Sequence, residues 1–148
     1  MVRKILADLA ATESLAVRVA GLARAGDAIL LTGPLGAGTT EFARAFLRAA
    51  CDDPSLDVPS PSYTLVQTYE TARGRVHHYD LWRLDGFAPL AELGWDEARA
   101  DIALVEWPDR LGVSRPLDAL EIVLGAGAGP DARVAVIGGW PDRLGQLA

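Results

Sequence analysis

The segment Ala28–Ala50 has the sequence AILLTGPLGAGTTEFARAFLRAA. Its first five residues form an apolar, branched run typical of a buried strand, and the run stops at Gly33. Beyond Gly38 the apolar residues recur at helical spacing, at Phe42, Ala43, Phe46, Leu47 and Ala50. The segment therefore predicts a strand, a glycine-rich turn and a helix in direct succession.

The glycine-rich turn has the composition of a phosphate-binding loop. Glycines let consecutive backbone amides converge on an anion, and the N-terminus of the following helix adds a partial positive charge. The spacing fits the pattern G-x-x-x-x-G-K-[ST], except that Thr39 occupies the lysine position. The residues expected to form the binding site at this loop are Gly33, Leu35, Gly36, Ala37, Gly38, Thr39, Thr40 and Glu41. The alternative is that the glycines only form a tight connection between a strand and a helix.

Thr39 changes the chemistry that this loop can supply. In the intact pattern a lysine ammonium contacts the β- and γ-phosphates, whereas a threonine hydroxyl is shorter and uncharged. Backbone binding of phosphate is retained while charge neutralisation is lost. Lys4 is the only lysine of the chain, so Arg44, Arg75 and Arg83 are the candidates to replace the missing charge.

Composition limits the class of protein. The chain has 148 residues, which predicts one domain spanning 1–148. A formal net charge of -6 argues against binding nucleic acid through a basic surface of its own. Cys51 is the only cysteine, which excludes an internal disulfide and favours a cytoplasmic location. No apolar run has the length of a signal peptide or a membrane span, so we expect no membrane association.

Two acidic residues follow strand-like runs. Asp80 lies near the end of Val76–Leu81, and Glu106 follows the apolar run of Ile102–Val105. A carboxylate at a strand end beside a phosphate loop can hold Mg²⁺ or position a water, although an acid can also end a strand by chance. The adjacent His77 and His78 point to opposite faces of a strand, so we exclude metal ligation by that pair.

Turn signals make the predicted sheet mixed. Ala72–Gly74 separates strand-like runs at Tyr63–Tyr69 and Val76–Leu81 and predicts a hairpin. A second hairpin joins Leu117–Leu124 to Arg133–Ile137. The remaining expected elements are a strand at Ile5–Leu9, a helix capped by Thr12, a short helix at Ala88–Leu93 and a loose helix within Trp140–Ala148. We predict an α/β fold, similar to P-loop NTPases, with three layers and a mixed, mainly parallel central sheet.

Hydroxyl side chains are grouped in the proline-containing loop before the first hairpin. Ser60, Ser62 and Thr64 lie where a loop can meet a terminal phosphate. The alternative is an extended surface connection whose hydroxyls bond to their own backbone.

Five segments give the chain a family resemblance: GPLGAGTTEFAR, SPSYTLVQTYE, HHYDLWRL, ELGWDEA and IALVEWPDRLG. In this order and spacing they resemble the TsaE family, also called YjeE. These are small P-loop ATPases of bacterial tRNA threonylcarbamoyladenosine (t6A) synthesis. The resemblance implies a P-loop α/β fold, ATP and Mg²⁺ as cofactors, TsaD and TsaB as partners, and contact with tRNA only through their complex.

The resemblance also implies roles for individual residues. Thr40 matches the loop hydroxyl that ligates Mg²⁺, Asp80 the essential aspartate and Glu106 the Mg²⁺-linked glutamate. Arg133 matches a residue that lines the nucleotide, and Trp107 matches the tryptophan beside the glutamate.

Other matches fall in the loops. Gly36, Ala37 and Gly38 match the phosphate loop, while the serines and threonine at positions 60, 62 and 64 match a loop that responds to nucleotide. Thr39 departs from the family lysine, and Glu41 replaces a small hydroxyl residue.

The resemblance, together with the substitution at Thr39, implies two alternative functions. The first is ATP hydrolysis that resets a TsaD–TsaB complex, with Asp80 and Glu106 as the catalytic residues and their roles interchangeable. The second is a non-catalytic subunit that docks on the same complex, which Thr39 favours. A small-molecule kinase is a third alternative, but the chain has no arginine-rich lid segment.

Overall fold

A mixed sheet of seven strands forms the centre of the computed structural model, which describes residues 1–84 and 90–148. The strands are β1 Val2–Leu6, β2 Ala28–Thr32, β3 Val66–Thr71, β4 Gly74–Asp80, β5 Ile102–Glu106, β6 Leu120–Ala126 and β7 Arg133–Gly138. The helices are α1 Leu9–Leu22, α2 Thr39–Ala50 and α3 Trp95–Ala100. Short 3-10 turns span Leu90–Leu93, Pro108–Ser114 and Leu144–Leu147.

The sheet has the order β1-β7-β6-β2-β5-β4-β3. Its centre is parallel, because β2 pairs with both β5 and β6 and β5 pairs with β4 in that sense. The pairs β3–β4, β6–β7 and β1–β7 are antiparallel. Both predicted hairpins and the mixed, mainly parallel sheet are therefore confirmed.

Helices cover both faces of β2, which explains its uninterrupted apolar sequence. Ile29 and Leu31 pack in the cluster that includes α1 and α2, whereas Ala28 and Leu30 pack in the cluster on the α3 side. All four side chains are buried. A strand that is covered on both faces has no solvent side, so its residues do not alternate between apolar and polar.

The N-terminal elements begin earlier than predicted. The first strand is β1 rather than Ile5–Leu9, and the cap of α1 is Asp8 rather than Thr12. The Asp8 Oδ1 atom accepts a hydrogen bond of 2.9 Å from the Ala11 amide, while Thr12 is buried inside the first turns of the helix. Thr12 belongs to the buried face of α1 together with Leu15, Ala16 and Val19, so the helix begins ahead of it, at the earlier of the two possible caps.

Other boundaries also differ from the prediction. β3 begins at Val66 rather than Tyr63, because a turn closed by the Leu65 amide on the Pro61 carbonyl at 2.7 Å precedes it. α3 was not predicted as a helix. Of the segment Ala88–Leu93, the described part Leu90–Leu93 forms a 3-10 turn, and Ala88 and Pro89 lie outside the described residues.

Tyr79 joins β4 to the elements on the α3 side. Its ring makes an edge contact with Trp95 at a centroid distance of 5.4 Å, and its hydroxyl donates to the Leu93 carbonyl at 2.8 Å. Burial raises the pKa of Tyr79 to about 12, so the phenol remains a hydrogen-bond donor at neutral pH.

Within the described ranges, no helix is both long and apolar enough to cross a membrane.

The cap of α1 can be tested with a matched pair of substitutions. We expect Asp8→Ala to lower the free energy of unfolding by about 1 kcal/mol, because the Ala11 amide loses its acceptor. Asp8→Asn keeps a side-chain oxygen and should retain most of that stability. Urea denaturation measures both, and equal stabilities for Asp8→Ala and the parent would contradict Asp8 as the cap.

Candidate functional site

A cavity of about 350 Å³ opens at the carboxyl ends of β2, β4 and β5. Six of the predicted phosphate-loop residues line it: Leu35, Gly36, Gly38, Thr39, Thr40 and Glu41. The rest of the lining is formed by Pro34, Ser60, Ser62, Asp80, Trp82, Glu106 and Trp107. Gly33 and Ala37 belong to the loop without lining the cavity.

Two glycines of the loop meet different constraints. Gly38 is the N-cap of α2 with a φ of 102°, in the left-handed region that favours glycine, and no side chain caps the helix there. At Gly33 a Cβ would lie 2.8 Å from both the Ala37 Cβ and the Leu124 carbonyl oxygen. The first amides of α2 have no partner within the helix, so they are available to an anion in the cavity.

Arg133 supports the loop from outside the cavity. Its guanidinium donates to the carbonyl oxygens of Gly36 at 2.9 Å and Ala37 at 2.7 Å. It lines a neighbouring space of about 90 Å³ beside Gly38 and Glu41. Two carbonyls of the loop are therefore held by the Arg133 guanidinium.

Glu106 is the most enclosed acid of the site, with 1% of its surface exposed. Its Oε1 atom accepts hydrogen bonds from the hydroxyls of Thr39 and Thr40, both at 3.0 Å. Its Oε2 atom lies 2.7 Å from the Nε2 atom of His78. The side chain at the lysine position of the motif thus contacts this carboxylate.

His78 is a site residue that the sequence reasoning did not identify. Its sequence signal was its spacing from Asp80, because residues two apart on a strand share a face. His77 points to the other face, where its Nε2 atom lies 2.9 Å from the Asp101 carboxylate. The two histidines therefore have separate acidic partners.

Asp80 lies beside Glu106, since these residues pair in the parallel register of β4 and β5. Its Oδ2 atom accepts from the hydroxyls of Ser60 at 3.1 Å and Ser62 at 3.2 Å, and its Oδ1 atom accepts from the Trp82 amide at 3.1 Å. The serines thus bond to the site acid rather than to their own backbone. Thr64 instead accepts from the Gln67 amide group at 3.3 Å.

The three arginines considered as replacements for lysine do not line the cavity. Arg75 pairs with Glu70 at 2.6 Å, and the guanidinium of Arg83 lies 4.6 Å from the centre of the Tyr63 ring. Arg44 lies in a separate surface depression with Glu41. Among the described residues, no lysine or arginine lines the cavity.

The donor set of the cavity fits Mg²⁺ together with phosphate. Hydroxyl and carboxylate oxygens are the protein ligands that Mg²⁺ prefers, usually one or two carboxylates with waters and phosphate completing the shell. In residues 1–84 and 90–148, no three His, Cys, Asp or Glu side chains converge as in a metal cage made wholly by protein. An oxygen site with few ligands beside a helix N-terminus suits a metal–phosphate pair.

Two tryptophans form one wall of the cavity mouth. The rings of Trp82 and Trp107 are 4.3 Å apart between centroids. Trp107 has a φ of 61°, which is rare for a bulky residue, and it directly follows Glu106. The turn after β5 therefore aims an indole toward the cavity at a cost in backbone strain.

The support given by Arg133 can be measured by hydrogen exchange. Arg133→Met removes both hydrogen bonds to the loop, so the Ala37 amide, bonded to the Pro34 carbonyl at 3.0 Å, should exchange roughly tenfold faster or more. Arg75→Met is the control, because that arginine pairs with an exposed glutamate elsewhere. Equal exchange of the Ala37 amide in Arg133→Met and the parent would contradict the support.

Comparison with known proteins gives consistent matches. The family described as threonylcarbamoyl adenosine biosynthesis protein TsaE matches residues 6–133. A tRNA threonylcarbamoyladenosine biosynthesis protein TsaE of Rickettsia felis is 37% identical over 99 residues, which are 66% of this chain and 57% of that protein. The protein of the same description from Bacillus subtilis is 32% identical over 124 residues, covering 82% and 75% of the two chains.

The match to a solved structure covers more of this chain than the matches to the two relatives do. The chain spans little more than half the length of the Rickettsia felis relative. The crystal structure of YdiB from Bacillus subtilis superposes with a TM-score of 0.75 at 24% identity, covering 99% of this chain and 90% of that one, which supports the fold. The family match over residues 6–133 shows that the chain belongs to the TsaE family of threonylcarbamoyl adenosine biosynthesis proteins.

Proposed function

We propose that this chain binds ATP and Mg²⁺ in the cavity and hydrolyses ATP to support t6A modification of tRNA. Two buried carboxylates, Asp80 and Glu106, line one cavity together with an uncapped helix N-terminus, and this arrangement carries the proposal. Phosphoryl transfer to water needs a phosphate cradle, oxygen ligands for Mg²⁺ and a group that positions the nucleophile. The chain has a candidate for each.

The roles follow from which atoms face the cavity. The amides of Gly36, Gly38 and Thr39 bind phosphate oxygens at the start of α2. The Thr40 hydroxyl and the Glu106 carboxylate hold Mg²⁺, whose charge would stabilise negative charge on the transferring phosphoryl group. Asp80 accepts a proton from, or orients, the attacking water.

The environment of Asp80 supports its assignment to the nucleophile. Ser60 and Ser62 donate to one carboxylate oxygen of Asp80 and the Trp82 amide donates to the other. Both oxygens are therefore held, and the side chain has a fixed orientation. A base held in one orientation contributes more than a mobile one. Because Asp80 and Glu106 are neighbours in register, their roles can also be exchanged.

Thr39 weakens this site without removing it. Loss of one charge-assisted contact of about 1.5–3 kcal/mol corresponds to a roughly ten- to hundred-fold loss of affinity or turnover. The Thr39 hydroxyl donates to Glu106 and carries no charge, so it cannot neutralise phosphate as a lysine ammonium does. The remaining attraction comes from loop amides and the partial charge of the α2 N-terminus.

The partners we propose are TsaD and TsaB, in the cytoplasm, with tRNA bound through their complex. The net charge of -6 disfavours direct tRNA binding. Two large side chains that line the cavity are exposed, Leu35 by 73% and Trp82 by 40%. Such exposed side chains suit a protein partner that closes over bound nucleotide.

A non-catalytic docking subunit is the second candidate, and the contact of Thr39 with Glu106 favours it. In that case, the two threonine hydroxyls satisfy the buried acid without nucleotide. Complex formation with TsaD and TsaB would then be insensitive to ATP. ATP-dependent assembly would exclude this candidate.

The effect of position 39 can be tested by calorimetry of Mg²⁺-ATP binding. We expect Thr39→Lys to raise the affinity by about ten- to hundred-fold, because it restores a charge at the phosphates. Thr39→Met is the matched control, since it adds length without charge. Unchanged affinity in a folded Thr39→Lys protein would show that position 39 does not limit binding.

The roles of Asp80 and Glu106 can be distinguished by phosphate-release assays at several Mg²⁺ concentrations. The assays are made in the parent and in the Thr39→Lys protein. Asp80→Asn should lower the maximal rate about 10²- to 10⁴-fold with little change in Mg²⁺ dependence, as for loss of a general base. Glu106→Gln should raise the Mg²⁺ concentration needed for half-maximal rate. Glu121→Gln, which alters a surface pair with Arg115, is the control. Parental rates in both site variants would refute the catalytic assignment.

A further inference from the structure

His78 is a buried polar residue to which the proposed chemistry gives no task. It lies on β4 with its Nε2 atom 2.7 Å from Glu106 Oε2. The side chains of this pair are 1% and 2% exposed, so water does not compete for the contact. A hydrogen bond in such a place fixes its partner more firmly than one at the surface.

The contact fixes the orientation of the Glu106 carboxylate. His78 contacts Oε2 from the sheet side, while Thr39 and Thr40 donate to Oε1 from the loop side. Each oxygen thus has a different neighbour. Rotation of the carboxylate would break the hydrogen bonds of both oxygens. In the observed orientation, Oε1 is the oxygen next to the Thr40 hydroxyl.

The hydrogen bonds of His78 also indicate its tautomer. Among the described residues, the buried Nδ1 atom has no hydrogen-bond partner. A proton on Nε2 can be donated to Glu106, whereas a proton on Nδ1 would be buried without an acceptor. The imidazole therefore serves as a donor at Nε2.

We propose that His78 is a positioning residue that donates Nε2–H to Glu106 and thereby presents Oε1 to the Mg²⁺ that Thr40 also contacts. This inference rests on the proposed function, in which Glu106 is a metal ligand. Groups that hold a metal ligand in place typically change metal affinity by about 10- to 100-fold when they are removed. The effect belongs to the metal and not to the phosphate loop, because among the described residues the side chain of His78 has its hydrogen bond with Glu106 and none with the loop.

The experiment compares three substitutions. His78→Leu removes the donor at similar size, and His78→Gln supplies an amide N–H at a reach similar to that of Nε2. His77→Leu makes the same change at the neighbouring histidine, whose partner Asp101 lies on the other face of the sheet. Tryptophan fluorescence reports binding, because Trp82 and Trp107 line the cavity.

Two affinities are measured by this fluorescence for each variant: Mg²⁺ at saturating ATP, and ATP in EDTA without metal. For His78→Leu we expect the half-saturating Mg²⁺ concentration to rise about 10- to 100-fold, with metal-free ATP affinity changed by less than about threefold. His78→Gln should recover most of the Mg²⁺ affinity, and His77→Leu should match the parent. A role confined to stability would lower both affinities of His78→Leu together.

The outcomes separate this inference from the proposed function. Binding of Mg²⁺-ATP with unchanged Mg²⁺ dependence in His78→Leu, or failure of His78→Gln to recover affinity, overturns the positioning role alone. If the parent does not bind, the same comparison is made in the Thr39→Lys protein. Absence of Mg²⁺-ATP binding in both backgrounds overturns the proposed function and the positioning role with it.

Discussion

The parallel pairing of β2, β5 and β4 is the constraint on which the candidate site depends. Parallel strands end at the same edge of a sheet, so β2 delivers the phosphate loop where β4 and β5 deliver Asp80 and Glu106. Leu31 pairs with Glu106, and Glu106 pairs with Asp80, which sets the spacing of loop and acids by backbone hydrogen bonds. Ligand sites of open α/β sheets form at this edge for the same reason.

Burial of two acids without a lysine or arginine in their cavity requires other compensation. An unpaired carboxylate loses its hydration on burial, at a cost of several kcal/mol. Here hydroxyls, an amide and an imidazole are the partners of Asp80 and Glu106. This arrangement leaves two carboxylates in the cavity beside the start of α2, with no cationic side chain of the described residues lining it. A bound cation is the natural complement of these carboxylates, as the proposed Mg²⁺ site requires.

Strong local patterns made several elements predictable. The apolar run of β2 and the helical spacing after Gly38 predicted β2 and α2 to within one residue. A strand buried on both faces is apolar throughout, whereas a helix buried along one stripe has apolar residues every three or four positions, so the two patterns differ. The hairpins were predicted from turns that contain glycine. The start of α1 was less predictable, because Asp8 and Thr12 are both good caps and only the burial of Thr12 on the packed face of the helix distinguishes them. α3 has six residues, too few for a clear period.

The sequence alone predicts a phosphate loop, a mixed α/β sheet, two acids at strand ends and a substituted lysine position. Each of these features is recognised from residues that are close together in the chain. The partners of those acids depend on folding. His78 and Glu106 are separated by 28 positions, and Thr40 and Glu106 by 66. Arg133 reaches the Gly36 carbonyl over 97 positions. Local periodicity carries no information on such pairs, and it is the order and register of the strands that bring them within hydrogen-bonding distance.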